Sequence, residues 1–308
     1  MNKDFKIVFM GTPDFAVASL DILVQNGFNI VGVVTAPDKP AGRGLQLQES
    51  AVKRYAVSKG LKVLQPEKLK NPAFLEELKA LNADLQVVVA FRMLPELVWN
   101  MPPQGTINVH ASLLPNYRGA APINWAVING EKESGVTTFK LQHEIDTGDV
   151  LFSERVPIRE DETAGELHDV LMQTGATLLL KTVTAIAENQ VTPIPQANIP
   201  LDEIKHAPKI FKETCQIKWD QPLDAIYNLV RGLSPYPTAW TTFQGKTLKI
   251  FKAHKEHTTP TVAPGEFVTD QKTFIKIAAP DGYLSLDEIQ LEGKKKMDIT
   301  SFLRGYRF

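Results

Sequence analysis

Residues 107–122, with the sequence INVHASLLPNYRGAAP, predict a β-strand that runs into a turn and then into a helix beginning near Ala121. Successive side chains of a strand point to opposite faces, so Asn108 and His110 share one face. The strand is expected to stop near Pro115, because proline has no amide hydrogen to donate. The sequence therefore places an amide and an imidazole side by side at the end of a strand.

The chain before this stretch alternates predicted strands with helical patterns, which indicates a Rossmann-like, mostly parallel sheet. Open parallel sheets bind their ligands at the carboxyl ends of the strands, where Asn108 and His110 would lie. The alternative is that these two side chains only line the solvent face of an edge strand. The strands predicted before them cover residues 5–10, 30–35, 62–64 and 84–90.

The β-prone runs at 136–145 and 150–158 predict an antiparallel hairpin that closes this sheet, with Asp146 at its turn. Thr163 and Glu166 have the spacing of a capping box, which predicts the start of a long helix. That helix is expected to end near Glu188.

Prolines crowd the following segment, so residues 190–206 are interpreted as a linker between a first domain over 1–189 and a second domain over 207–308. After a predicted helix near 222–232, five short β-prone runs separated by turn residues suggest a small OB-like β-barrel.

The composition of the 308-residue chain is that of an ordinary globular protein, with 43% hydrophobic and 22% charged residues. Residues 1–206 carry 19 Lys+Arg against 24 Asp+Glu, whereas residues 207–308 carry 15 against 11. The basic C-terminal third suggests contact with something anionic, although such an excess is also common on ordinary surfaces. No run of 18 apolar residues is present, so neither export nor membrane spanning is indicated.

Several classes of site are disfavoured by the motifs. The GTPDFA segment at 11–16 lacks the later glycines of a dinucleotide fingerprint and is followed by no Walker lysine. Asp146-Thr147-Gly148 resembles the aspartic protease triplet, but a second copy, needed for a carboxylate pair, is absent. Cys215 is the only cysteine, which excludes an intramolecular disulfide and fits a reducing, cytoplasmic setting.

Asn108, His110 and Asp146 together have the chemistry for acyl transfer without a covalent intermediate. An amide can donate to the oxyanion that develops on an attacked carbonyl, and an imidazole can move protons near neutral pH. A carboxylate at Asp146 could orient His110 and favour its charged form. These three residues are the candidate catalytic set.

The motifs that carry this set also carry a family resemblance. INVHASLLPNYRGAAP followed by IDTGD resembles the formyltransferases that use 10-formyltetrahydrofolate, whose catalytic Asn, His and Asp match Asn108, His110 and Asp146. Further segments resemble the methionyl-tRNA branch of that family from end to end. They are MGTPDFA at 10–16, TAPDKPAGRG at 35–44, APKIFKETCQIKW at 207–219 and IYNLVRGLSPYPTAW at 226–240.

The resemblance implies a Rossmann-like catalytic domain, an OB-like tRNA-binding domain, and formyl transfer to the α-amine of methionyl initiator tRNA by a monomer that needs no metal. It also implies folate binding by the SLLP segment, formed by Ser112, Leu113, Leu114 and Pro115. The proline- and glycine-rich segment 36–50 resembles a loop that enters the acceptor stem, which points to Arg43. Read without the resemblance, a segment of that length is either functional or a disordered insertion.

Two departures from the family pattern bear on binding. Leu45-Gln46-Leu47-Gln48 stands where lysines often follow the R-G pair, and AFRMLP at 90–95 replaces a more usual Tyr-Gly pattern near the pterin. Rival functions are formyl transfer to glycinamide ribonucleotide or to an amino sugar nucleotide, and non-catalytic RNA binding. The basic second domain argues against a small nucleotide substrate, because tRNA offers a line of phosphates to its lysines and arginines.

Overall fold

The computed structural model describes residues 4–41 and 46–308, and its chain divides into two units. The first unit comprises residues 1–119, 135–156 and 169–206, and the second comprises 120–134, 157–168 and 207–308. Segments 120–134 and 157–168 group with the C-terminal residues, and 190–206 group with the first unit. That residues 190–206 link a first functional domain over 1–189 to a second over 207–308 stays a prediction.

Ten strands and six helices lie in the described part of the chain before residue 190. The strands are β1 (Lys6–Gly11), β2 (Asn29–Val34), β3 (Lys39–Ala41), β4 (Gln46–Gln48), β5 (Val63–Leu64), β6 (Leu85–Val89), β7 (Thr106–His110), β8 (Arg118–Gly119), β9 (Glu133–Lys140) and β10 (Val150–Pro157). The helices are α1 (Asp14–Gln25), α2 (Ala51–Ser58), α3 (Pro72–Ala80), α4 (Glu96–Trp99), α5 (Pro122–Ile128) and α6 (Ala164–Ala187).

A seven-stranded sheet in the order β10-β9-β7-β6-β1-β2-β5 organises the first unit. Strands β2, β1, β6 and β7 pair in parallel, and β9 pairs antiparallel with β7. All five residues of β6 are buried, as expected of a central strand covered on both faces. The strand order reverses between β1 and β6, which is where open α/β sheets bind ligands. The predicted Rossmann-like sheet is confirmed.

Helix α6 begins with the predicted capping box. The backbone N–H of Thr163 donates to Glu166 Oε2 at 2.8 Å, and the Glu166 N–H donates to Thr163 Oγ1 at 3.2 Å. The helix has 24 residues and a mean hydropathy of 1.4 in its most apolar window, so by length and composition alone it could cross a membrane. Leu167, Leu171 and Leu179 on this helix are completely buried, which is the pattern of a core helix in a globular protein.

Three local expectations were wrong. Segment 36–50 contains the antiparallel pair β3–β4, in which Lys39 faces Gln48, rather than loop throughout. Strand β7 ends at His110, five residues before Pro115, and β9 ends at Lys140 rather than near 145. The chain between β9 and β10 is therefore a longer connection than a tight hairpin turn, and Asp146 lies within it.

The C-terminal residues of the second unit form a curled antiparallel sheet, which confirms the OB-like expectation. The remaining strands and α-helices are β11 (His206–Ala207), α7 (Leu223–Gly232), β12 (Ala239–Phe243), β13 (Lys246–Glu256), β14 (Phe267–Thr269), β15 (Ile275–Ala279), β16 (Gly282–Leu291), β17 (Met297–Asp298) and α8 (Ile299–Gly305). The long strands β13 and β16 pair over most of their length, and register shifts near Lys252 in β13 allow the sheet to bend. The sheet order is β12-β13-β16-β15-β14, with a further strand, β17, on β16. That strand and the final helix were not predicted.

Candidate active site

His110 is the last residue of β7 and is 8% exposed. Its Nε2 lies 2.9 Å from the carbonyl oxygen of Tyr117. Because a carbonyl oxygen only accepts hydrogen bonds, this contact requires the hydrogen on Nε2 and leaves Nδ1 of the neutral ring free to accept a proton. The ring edge also packs against Phe139, with centroids 6.5 Å apart. The imidazole is thus fixed in orientation and in tautomer.

Asp146 faces the free nitrogen of that ring. Its Oδ2 lies 3.9 Å from His110 Nδ1, and the two side chains are 11% and 9% exposed. This separation exceeds a direct hydrogen bond, which requires about 2.7–3.2 Å between heavy atoms. The same Oδ2 accepts a 3.0 Å hydrogen bond from the backbone N–H of Gly119. Gly119, rather than His110, therefore holds the carboxylate in place.

The backbone at Asp146 has φ of 56°, in the left-handed region. Aspartate tolerates this region better than most residues, at a cost of roughly 1 kcal/mol. Two residues later the chain passes very close to β9, since a Cβ built on Gly148 would lie 1.6 Å from the carbonyl oxygen of Lys140. Only glycine fits there, so this close approach helps to determine the path of the loop that carries Asp146.

Asn108 precedes His110 by two residues in β7, so both side chains project from the same face of the strand. The side-chain Oδ1 of Asn108 is buried and has no hydrogen-bond partner in the part of the chain that the structure describes. A buried acceptor without a donor costs about 1–3 kcal/mol. Such an atom is suited to accept a hydrogen bond from a bound substrate.

The SLLP segment follows β7 as a turn that is held from within. Ser112 Oγ donates to the carbonyl oxygen of Asn116 at 2.6 Å. Thr137 Oγ1 donates to Ser112 O at 2.7 Å and accepts from the N–H of Leu114 at 3.1 Å. Ser112, Leu114 and Pro115 are buried, and Leu113 is half-buried. The structure thus gives a fixed wall beside His110, and folate binding by it stays a prediction.

Two of the expected binding features can be located only in part. Arg43 lies outside the described residues, although the strands on either side of it, β3 and β4, are described and pair with each other. In the AFRMLP segment, Arg92 donates to the backbone carbonyls of Pro66 and Glu67, and burial lowers the pKa of its guanidinium. Met93 beside it is 72% exposed.

The cationic residues of the C-terminal third differ in their availability. Lys255 Nζ lies 2.6 Å from an Asp224 carboxylate oxygen, and Lys296 Nζ lies 2.6 Å from one of Glu288. Lys249 and Lys252 on β13 are exposed and form no ion pair with any residue the structure describes. Cys215 is buried, and burial raises the pKa of its thiol, which disfavours the thiolate that a cysteine nucleophile requires.

The groups that orient the catalytic candidates were not predicted from the sequence. The carbonyl of Tyr117 and the N–H of Gly119 are backbone atoms, and the only signal for them was the turn expected between the strand and the helix beginning near Ala121. Gln196 is also at the site, because its side-chain Nε2 donates to the backbone carbonyls of Asp146 and Gly148. It lies in the segment interpreted as a linker, where no motif singled it out.

Comparison with known proteins gives a family match along nearly the whole chain. The family described as formyl transferase matches residues 5–183, and its C-terminal domain matches residues 209–307. A methionyl-tRNA formyltransferase of Parabacteroides distasonis is 57% identical over 99% of this chain and 97% of its own length. A protein of the same name from Flavobacterium johnsoniae is 49% identical over 99% and 98%.

Solved structures with the same fold have much lower identity. An N-formyltransferase of Helicobacter canadensis, solved with folinic acid and dTDP-3-aminofucose, superimposes with a TM-score of 0.69 at 22% identity. It covers 95% of this chain, and the match covers 100% of its own. The sugar 3N-formyltransferase WlaRD gives a TM-score of 0.69 at 21% identity, over 94% and 99% of the two chains.

Proposed function

Since the chain belongs to the methionyl-tRNA formyltransferase family, we propose that it transfers the formyl group of 10-formyltetrahydrofolate to the α-amine of methionyl initiator tRNA. The observation that carries the proposal is the 57% identity over 99% of the chain to a relative of that name. The product is N-formylmethionyl-tRNA for translation initiation. The expected setting is the cytoplasm, and the expected form is a monomer.

The reaction requires one new C–N bond and the loss of another. The neutral amine attacks the formyl carbon, and the carbonyl electron pair moves onto oxygen. When the carbonyl re-forms, the bond to the folate nitrogen breaks, so one proton must leave the amine and one must reach that nitrogen. Tetrahydrofolate is the second product. The protein must therefore stabilise an oxyanion and move a proton.

Asn108 and His110 are assigned to the oxyanion. The Asn108 amide donates from Nδ2 while its Oδ1, buried without a described partner, accepts from the attacking amine. His110 is tied through Nε2 to Tyr117, so Nδ1 is the atom with which it donates to the oxyanion when protonated. Because the His110 ring is fixed before the substrate arrives, it needs no reorganisation as charge develops.

Asp146 is assigned to the proton transfer. Its carboxylate lies opposite His110 Nδ1 at 3.9 Å, and Gly119 occupies only part of its accepting capacity. A water bound to this carboxylate takes the proton from the amine and passes it to the departing folate nitrogen.

The binding partners are assigned by position and charge. Ser112, Leu113, Leu114 and Pro115 form a wall next to His110 for the folate. Arg43 is assigned to the acceptor stem, and exposed Lys249 and Lys252 to tRNA phosphates.

A substrate panel tests the proposal. The full chain is incubated with 10-formyltetrahydrofolate and with methionyl-tRNA, glycinamide ribonucleotide or an amino sugar nucleotide, and formylated product is measured. We expect kcat/KM for methionyl-tRNA to exceed that of either small substrate by several orders of magnitude. A higher value for the amino sugar nucleotide would replace this substrate assignment, and no turnover with any of the three would leave RNA binding as the function.

A further inference from the structure

The side chain of Gln196 connects the loop that contains Asp146 to the segment that donates a hydrogen bond to the Asp146 carboxylate. It is 4% exposed, and its Nε2 donates to the backbone carbonyls of Asp146 and Gly148, both at 2.8 Å. Its Oε1 accepts from Nε and Nη2 of Arg118 at 3.1 and 2.6 Å. Two N–H groups and two lone pairs are all that a primary amide offers, so the hydrogen-bonding capacity of this side chain is fully used.

These contacts involve both the loop that carries Asp146 and the residue next to its hydrogen-bond donor. The carbonyls of residues 146 and 148 bracket Thr147 and belong to the loop in which Asp146 has a left-handed backbone. Arg118 directly precedes Gly119, whose N–H donates to Asp146 Oδ2. Gln196 thus ties the backbone of the loop to the residue next to the donor that orients the carboxylate.

The segment that carries Gln196 is held in place within the first unit by backbone hydrogen bonds. Ile194 and Val150 exchange two backbone hydrogen bonds, each of 2.8 Å, at the start of β10. Gln196 therefore approaches the loop from a fixed backbone and does not depend on a freely moving linker. Burial of a polar side chain with every hydrogen bond satisfied favours a single local geometry.

We propose that Gln196 is a positioning residue for formyl transfer: through its contacts with residues 118, 146 and 148 it fixes the Asp146 carboxylate opposite His110. This rests on the proposed catalytic role of Asp146. Gln196 touches no reacting atom in this assignment, and its effect on the rate passes entirely through the placement of Asp146.

The chemistry predicts which replacements fail. In Gln196→Glu the new carboxylate can still accept from Arg118, but it cannot donate to the carbonyls of Asp146 and Gly148 and repels them. In Gln196→Met the shape is nearly kept and neither set of hydrogen bonds can form. If the donations to the loop are decisive, both variants are slow, whereas if only the contact with Arg118 matters, Gln196→Glu keeps the parental rate.

Single-turnover formylation of methionyl-tRNA by the full-length protein is the test. We expect Gln196→Met and Gln196→Glu to lower the rate by about 10²-fold, as displacement of a catalytic group by about 1 Å does, with little change in the KM for tRNA. Gln86→Met is the matched control: Gln86 is also buried but accepts from Thr106 near the amino ends of β6 and β7. This control should keep the parental rate even if its Tm falls.

A double-mutant cycle separates positioning from a general structural role. In the Asp146→Asn background, Gln196→Met should cause no further loss of rate, because the group that it positions is already inactive. A full, independent loss in that background would overturn the inference, as would parental rates in both single Gln196 variants. If Gln196→Met does not fold, Arg118→Met and Gln196→Glu test the same connection from its two ends.

The cycle also distinguishes this inference from the proposed function. Parental activity of Asp146→Asn itself would remove the catalytic assignment on which the inference rests. A slow Asp146→Asn variant combined with fully active Gln196 variants would remove only the inference.

Discussion

His110 Nδ1 and Asp146 Oδ2 lie 3.9 Å apart and are each held by a different backbone group. The imidazole is fixed through Nε2 by the carbonyl of Tyr117, and the carboxylate is fixed by the N–H of Gly119. Both supports come from residues 117–119, which follow β7 and include strand β8. Because neither side chain depends on the other for its position, each could exchange protons with a substrate or a water without losing its orientation.

Removal of either proposed oxyanion donor, Asn108 or His110, should slow the chemical step. Asn108→Ala is expected to lower the single-turnover rate about 10²- to 10³-fold, and His110→Ala about 10²- to 10⁴-fold. The effects should not multiply in the double variant if the two residues act as a unit. His257→Ala, which removes an exposed histidine of the second unit, is the control. Multiplicative effects would show that the two groups act independently.

Gly148→Ala should disrupt the loop that carries Asp146. Its Cβ would lie 1.6 Å from the Lys140 carbonyl, so β9 or the loop must move. We expect a decrease of about 1–3 kcal/mol or more in the free energy of unfolding, together with a strongly reduced rate. Gly305→Ala, where nothing lies within 4 Å of the new methyl group, should unfold like the parent. Thermal melts and single-turnover rates measure both effects, and a fully active Gly148→Ala protein would contradict the described path of the loop.

Lys249 and Lys252 should contribute to tRNA binding by neutralising phosphates. The combined variant Lys249→Ala/Lys252→Ala is expected to weaken binding and to lower the slope of log affinity against log salt by roughly one unit for each phosphate that is no longer neutralised. Lys68→Ala/Lys70→Ala, which removes two exposed charges from the first unit, is the comparison. Equal slopes for the two double variants would mean that β13 does not form the tRNA surface.

Arg43→Ala tests the segment between β3 and β4. Removal of a charge-assisted hydrogen bond to the acceptor stem should raise the KM for methionyl-tRNA about tenfold, or lower the rate to a similar extent, while folate affinity stays the same. Steady-state kinetics with each substrate varied in turn separate these effects. Unaltered kinetics for tRNA would indicate that Arg43 does not contribute to tRNA binding.

The sheet could be predicted from sequence because its strands are apolar and regularly spaced. The candidate residues Asn108, His110 and Asp146 could be predicted because they occur in recognisable motifs. The groups that orient His110 and Asp146 could not be predicted from the sequence. The Tyr117 carbonyl is present in any residue at that position, and Gln196 meets Asp146 across 50 residues of chain. The β3–β4 pair was missed because proline and glycine near Arg43 indicated a loop. Helix α8 was missed although Asp298 caps it by accepting from the N–H of Ser301 at 2.8 Å.

The single-turnover rate of Asp146→Asn, measured with saturating 10-formyltetrahydrofolate beside equilibrium binding of methionyl-tRNA, decides whether the Asp146 carboxylate moves the proton. Asparagine has nearly the same shape and can still accept from Gly119, so this variant removes the charge and little else. We expect a rate about 10²- to 10⁴-fold below the parent with nearly unchanged tRNA affinity. A rate within about threefold of the parent in a folded protein would contradict the assignment of Asp146 to the proton transfer.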